Sequence, residues 1–132
     1  MDAAARNLVR RRADNQCEYC LLRQEYSHLA HHVEHIVAKQ HGGTDDPTNL
    51  ALACHRCNHC KGPNLTGFDR ESGGIVPLFH PRRDRWTEHF AWRGPRIEGL
   101  TAIGRVTVVV LGMNDARRLD LRAALLARGE FG

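Results

Sequence analysis

Cys17-Glu18-Tyr19-Cys20 and Cys54-His55-Arg56-Cys57 are the stretches whose reading decides the fold, with Val33-Glu34-His35-Ile36 lying between them. Each is a Cys-x-x-Cys hook, and two hooks can be drawn together by one zinc ion into a closed, tetrahedral, structural site. Closing that site around Cys17, Cys20, Cys54 and Cys57 turns the chain between the hooks into a compact loop. Glu34, His35 and Asn49 fall inside this loop, and Asn58 and Lys61 follow the second hook directly. Zn2+ is therefore expected as the staple, with the enclosed polar residues as the chemistry. The fifth cysteine, Cys60, has no hook partner and reads as a spare thiol or an alternative ligand.

Outward from the hooks, residues 3 to 13 contain good helix formers with Leu8 and Val9 as apolar anchors, and Asp14-Asn15 breaks the helix. Leu29 to Val37 is rich in histidine and branched residues and predicts a strand. His41-Gly42-Gly43 and Asp45-Asp46-Pro47 are turn signals, after which Asn49 to Ala53 predicts the returning strand. Cys57 to Lys61 opens or forms a short helix, ended by Gly62-Pro63. A second half begins near Gly67. Glu71 to Gly74 predicts a turn and Ile75 to Phe79 a short strand. The run through Trp86, His89, Phe90 and Trp92 predicts a strand that turns at Gly94-Pro95 and pairs back over Arg96 to Leu100. In Thr101 to Met113, the valine run has strand propensity, whereas Ile103, Val106, Val109/Val110 and Met113 fall at helical spacing. With Thr101 as N-cap, helix is the expectation. Asn114-Asp115 then caps a last helix whose Leu119, Arg122 and Leu126 side bears apolar and basic residues.

At 132 residues and 42% hydrophobic content, one domain is expected, of a size at which a core gains from a staple. No apolar run approaches the ~18–20 residues of a membrane span. The opening alanines followed by Arg6 and Arg10-Arg11-Arg12 do not resemble a secretory signal. A cytoplasmic location is expected, where paired cysteines favour metal over disulfides. A net charge of +4 favours a polyanionic partner. Arginine carries most of it, in the clusters Arg10-Arg11-Arg12, Arg82-Arg83-Arg85 and Arg117-Arg118, and its planar fork suits phosphate.

Hydrolysis of a phosphodiester needs an activated water, stabilised charge at the phosphoryl oxygens and help for the leaving oxygen. A neutral imidazole can accept the proton from water near physiological pH, the role open to His35. Glu34 and Asn58 present oxygen atoms, which suit a hard cation such as Mg2+ or Mn2+. Asn49 carries both a donor and an acceptor and can fix the loop that bears His35.

Taken together, Cys17-x-x-Cys20, Val33-Glu34-His35-Ile36, Gly42-Gly43, Asn49-Leu50 and Cys54-x-x-Cys57-Asn58-x-x-Lys61-Gly62 resemble the HNH endonuclease family in its zinc-stapled form. The resemblance covers roughly residues 15 to 63. It implies a small ββα-metal core; with the helices and strands read outside it, the expected fold is α+β, with flanking helices and a C-terminal α/β extension. The expected organisation is a single domain over 1–132, with its core at about 15–68 and residues 69–132 packed on it as the extension. The implied activity is metal-dependent cleavage of DNA leaving a 5′-phosphate, with RNA still open as a substrate. By position, His35 matches the general base, Asn49 the asparagine that orients it, and Asn58 the last metal ligand. Glu34 stands where the family often has aspartate as the other ligand, one methylene longer. Lys61 is a candidate phosphate contact, and His32 is a reserve ligand because it alternates onto the same strand face as Glu34. Two rival readings are a zinc-stapled nucleic-acid-binding module without catalysis and a purely structural zinc protein. The sequence leaves target sequence, oligomeric state and preferred catalytic metal open.

Overall fold

The structure, a computed structural model, describes residues 1–130. Its backbone falls into two compact units, Met1–Leu65 with His80–Asp84, and Thr66–Phe79 with the residues from Arg85 onward.

The first unit is built on helix α1 (Ala3–Arg12), strands β1 (His32–His35) and β2 (Leu50–Ala53), and helix α2 (His55–Lys61). Asp2 starts α1 by accepting the Ala5 N–H, and three arginines occupy its last turn, where the helix dipole favours cations. Val9 from this helix packs with Leu50 and Leu52 to form the apolar cluster of the unit. Arg12 ties the helix end to the hairpin, donating to Pro47 O at 3.1 Å and Leu50 O at 2.8 Å. Strands β1 and β2 pair antiparallel, with Glu34 opposite Ala51 and His35 opposite Leu50. All four residues of β2 are buried, and Cys54 caps α2 immediately after it. The order hairpin then helix is the ββα arrangement expected. Strand β1 is shorter than the predicted span 29–37. At its start, His31 is drawn towards the first hook, its Nε2 2.9 Å from Leu22 O. At its end, Val37 bonds to an asparagine side chain instead of a strand.

Among its described residues, the second unit contains two hairpins and three helices. Strand β3 (Thr66–Asp69), not anticipated from sequence, pairs with β4 (Gly74–Pro77). The predicted strand through Trp86 is instead one helical turn, α3 (Trp86–His89), followed by β5 (Phe90–Arg93) pairing with β6 (Arg96–Gly99). The turn folds Trp86 back onto Phe90 and Trp92, with ring centroids at 5.1 and 5.6 Å, and that aromatic packing outweighs local strand propensity. The valine run is helical, as α4 (Ala102–Val110), with the Thr101 hydroxyl accepting the Gly104 N–H. A Cβ at Gly104 would lie 2.0 Å from His89 O, so only glycine allows α4 this close to the α3 turn. Helix α5 (Ala116–Ala127) is capped by Asp115. Asn114 is no part of the cap: its amide bonds Ile97 N and O at 2.9 and 2.8 Å. The buried face of α5 is Arg118, Arg122 and Leu125; it shares Arg122 with the predicted Leu119, Arg122, Leu126 side, whose two leucines are half-buried at its edge.

Each arginine cluster gives one member a fixed partner within its own unit. Arg12 holds the hairpin as above, Arg82 pairs with Glu18, and Arg118 donates to Leu111 O at 2.7 Å. Arg118 is buried and Arg82 half-buried, whereas Arg12 is exposed like Arg11, Arg83, Arg85 and Arg117. Among the described residues, no helix is long and apolar enough to cross a membrane.

Candidate metal centre and active site

The ligand atoms of Cys17, Cys20, Cys54 and Cys57 all lie within 4.8 Å of one another, and all four residues are buried. The two hooks share one local geometry. Cys20 N–H points at Cys17 Sγ and Cys57 N–H at Cys54 Sγ, each at 3.4 Å. The first is closed by Cys17 N–H to Leu22 O at 2.8 Å across Leu21, which sits at φ +65°. The second is closed by the first turn of α2. Cys20 Sγ and Cys54 Sγ are 3.6 Å apart. A tetrahedral site with Zn–S near 2.3 Å requires about 3.8 Å between sulfurs. Burial pushes the Cys17 and Cys57 thiols up, so a divalent cation is what would hold such a buried cluster as thiolates. Donor type, number and spacing all fit zinc. Cys60 is half-buried and outside the cluster.

Glu34 and His35 are adjacent on β1, and the structure engages them with different partners, as alternation along a strand requires. Glu34 is 7% exposed. One carboxylate oxygen accepts the Tyr19 hydroxyl and the other lies 3.4 Å from Lys61 Nζ. Burial raises the Glu34 carboxyl, with Lys61 and Tyr19 opposing that shift. Burial and the Glu34 charge push the Tyr19 phenol well up, so it remains a proton donor. Lys61, expected at a phosphate, is 2% exposed and donates to Ile36 O at 2.9 Å. Its ammonium faces the interior of the unit.

His35 keeps a side-chain exposure of 23%, and its Nε2 lies 2.7 Å from Asp45 Oδ1. Hydrogen bonds from His35 first, then from the Met1 amino group and Lys39, hold the Asp45 carboxyl well below its ordinary range. An ionised carboxylate can only accept, so Nε2 carries the proton and a neutral ring presents its Nδ1 lone pair. Asp45 read as part of a turn in the sequence. An acid in the loop that returns to a histidine strand is the signal that was there.

Asn49 organises that loop. Its Oδ1 accepts Val37 N–H at 2.9 Å, and its Nδ2 donates to Val37 O at 3.0 Å and Thr44 O at 2.9 Å. The side chain thus prolongs the β1–β2 ladder by one rung and anchors the residue next to Asp45. Gly43 sits in the same loop, where a Cβ would be 1.7 Å from Val37 O. Asn58 lies on α2, one helical turn before Lys61. On the Glu34 side of β1, His32 Nε2 is 3.2 Å from His55 Nδ1, and the His55 and His59 rings stack at 6.3 Å.

The family model for HNH endonuclease matches residues 17–64, a span that contains all four cysteines, both strands of the hairpin and α2. No curated protein and no solved structure matches the chain.

Proposed function

We propose that the HNH-matching stretch makes this protein a metal-dependent DNA endonuclease in which His35 is the general base. The observation that supports this most strongly is the His35–Asp45 contact at 2.7 Å, on a half-exposed ring within the matched span. Asp45 accepts a hydrogen bond from Nε2–H, which stays on the ring, and leaves the Nδ1 lone pair to take a proton from water. General-base help of this kind contributes about a hundred- to ten-thousand-fold. Asn49 acts through the loop, holding Thr44 and hence Asp45 against the ring. The zinc at the four cysteines is structural: it shapes the hairpin and takes no part in the reaction.

A hard divalent ion, Mg2+ or Mn2+, is the charge that phosphodiester cleavage calls for. Glu34 as it stands does not fit the role of open ligand, because its two oxygens already face Tyr19 and Lys61 in a buried site. Asn58, on the neighbouring turn of α2, remains the oxygen donor assigned by motif position. No step is assigned to Glu34. Its engagement favours a second reading, a zinc-stapled nucleic-acid-binding module without cleavage.

Plasmid nicking by wild type and His35→Ala, with Mg2+, Mn2+ or EDTA, separates the two. Metal-dependent nicking lost in the variant, with zinc content unchanged, is the expected result. Salt-sensitive DNA binding without nicking under any of these metals would replace the nuclease reading with the binding module.

A further inference from the structure

Lys61 ends α2 at the centre of a network that no catalytic step uses. An ammonium at 2% exposure is costly to bury unless its charge and its N–H donors are met. They are met by three consecutive residues at the end of β1: Glu34 Oε2 at 3.4 Å, His35 O at 3.5 Å and Ile36 O at 2.9 Å. The Ile36 carbonyl is available because the ladder stops there. Ile36 N–H reaches Asn49 O at 2.8 Å, but Asn49 N–H turns away to Asp46 O. Glu34 is steadied in turn by Tyr19, which is fully buried within the first cysteine hook. First hook, base-bearing strand and α2 are thereby joined by one buried chain of polar contacts.

We infer that Lys61 is a positioning residue for His35. From the buried end of α2 it pins the carbonyls of the two successive peptides that follow His35, its own and that of Ile36, and Glu34 and Tyr19 hold the ammonium in place. Asp45 orients the His35 ring from outside the strand, and Lys61 fixes the backbone from which that ring projects. The Glu34–Lys61 pair is then an internal lock, which explains why Glu34 presents no free oxygen. This inference rests on the reading of His35 as base.

The test uses the zinc-loaded full chain with Lys61→Met and the charge-balanced pair Glu34→Gln/Lys61→Met, the second guarding against collapse from an unpaired Glu34. Zinc content, thermal stability, plasmid nicking and the 15N resonances of the His35 ring are measured on each. Both variants are expected to keep zinc, the pair being the more stable. In both, the His35 Nε2 resonance should lose the signature of its bond to Asp45. Displacing a catalytic group by about 1 Å costs roughly a hundredfold, so Lys61→Met, which retains Glu34, should lose tenfold or more in kcat with little change in KM. An unaltered His35 ring signal in the balanced pair would overturn the inference, reducing Lys61 to a counter-charge for Glu34. So would failure of that pair to fold and hold zinc, which would make the role wholly structural. Because the ring signal is read without substrate, a wild type that does not cut would sink the nuclease reading alone.

Discussion

The first unit buries Val9, Ile36, Leu50, Ala51, Leu52 and Ala53 beside Tyr19 and four cysteines, whereas the second buries the larger set Leu78, Phe79, Phe90, Ile97, Val106, Leu111, Met113 and Leu125. One has a small apolar core with a metal-binding cluster and a buried Glu–Lys–Tyr network. The other has an aromatic and aliphatic core of ordinary kind. The difference teaches where each unit's cohesion resides. A short hairpin with a seven-residue helix cannot bury enough apolar surface to offset its conformational entropy. Metal-binding energy can make up the shortfall. The same arrangement leaves the hairpin end polar, which is where a reactive histidine can be held.

The comparison breaks most visibly under metal removal. Chelation, or Cys54→Ser, should withdraw an apparent binding energy on the order of 10–16 kcal/mol. Amide resonances of residues 17–61 should collapse while those of Ile97, Leu111 and Met113 persist. Loss of both sets together would show that zinc supports the whole chain. The converse perturbation is Phe90→Ala, which empties the ring cluster of the second unit. It should cost about 3–5 kcal/mol in denaturant unfolding, with zinc content unchanged.

Within the first unit, Asp45→Asn separates stability from chemistry. An amide replaces the carboxylate in size but not in charge, so the ion pairs to the Met1 amino group and Lys39 are lost; such partly exposed pairs contribute little, and stability should fall only slightly. Cleavage should fall about ten- to a hundred-fold, as for other groups that orient a functional histidine. Unchanged cleavage would remove Asp45 from the proposed mechanism. The smallest effect concerns acid stability of the second unit. Arg105, in a paired contact at 3.1 and 3.0 Å, holds the Asp69 carboxyl well below its ordinary range. A carboxylate whose folded pKa is depressed contributes stability that is present above its unfolded pKa near 3.9 and lost as pH falls towards the folded value. Asp69→Asn should therefore flatten the fall in stability below about pH 4, leaving its slope near pH 7 as it was. An unchanged acid limb would show that the pair is screened by water.

Much of the hairpin was legible because its signals are local. The hooks, the Gly42-Gly43 turn and the return through Asn49 depend on residue type and spacing alone, and so did the N-cap at Thr101. What was not legible depends on partners far along the chain. β3 has no alternating pattern of its own and exists by pairing with β4. Trp86 reads as a strand until Phe90 and Trp92 give its ring a place to stack. Lys61 reads as a phosphate contact until Glu34 and Ile36 O are found facing it.

The sequence by itself determined that two cysteine hooks would be gathered beside a hairpin and short helix that carry Glu34-His35, because their matched spacing suits four donors to one tetrahedral metal. Only the tertiary structure decided which of the enclosed polar groups face inward. Adjacent residues on a strand point to opposite faces, so Glu34 and His35, neighbours in sequence, met different fates. Glu34 was drawn to Tyr19 and Lys61 in the interior, and His35 was left half-exposed against Asp45. That partition rests on contacts made across 10 to 27 residues of chain, from His35 to Asp45 and from Glu34 to Lys61. No local pattern carries them.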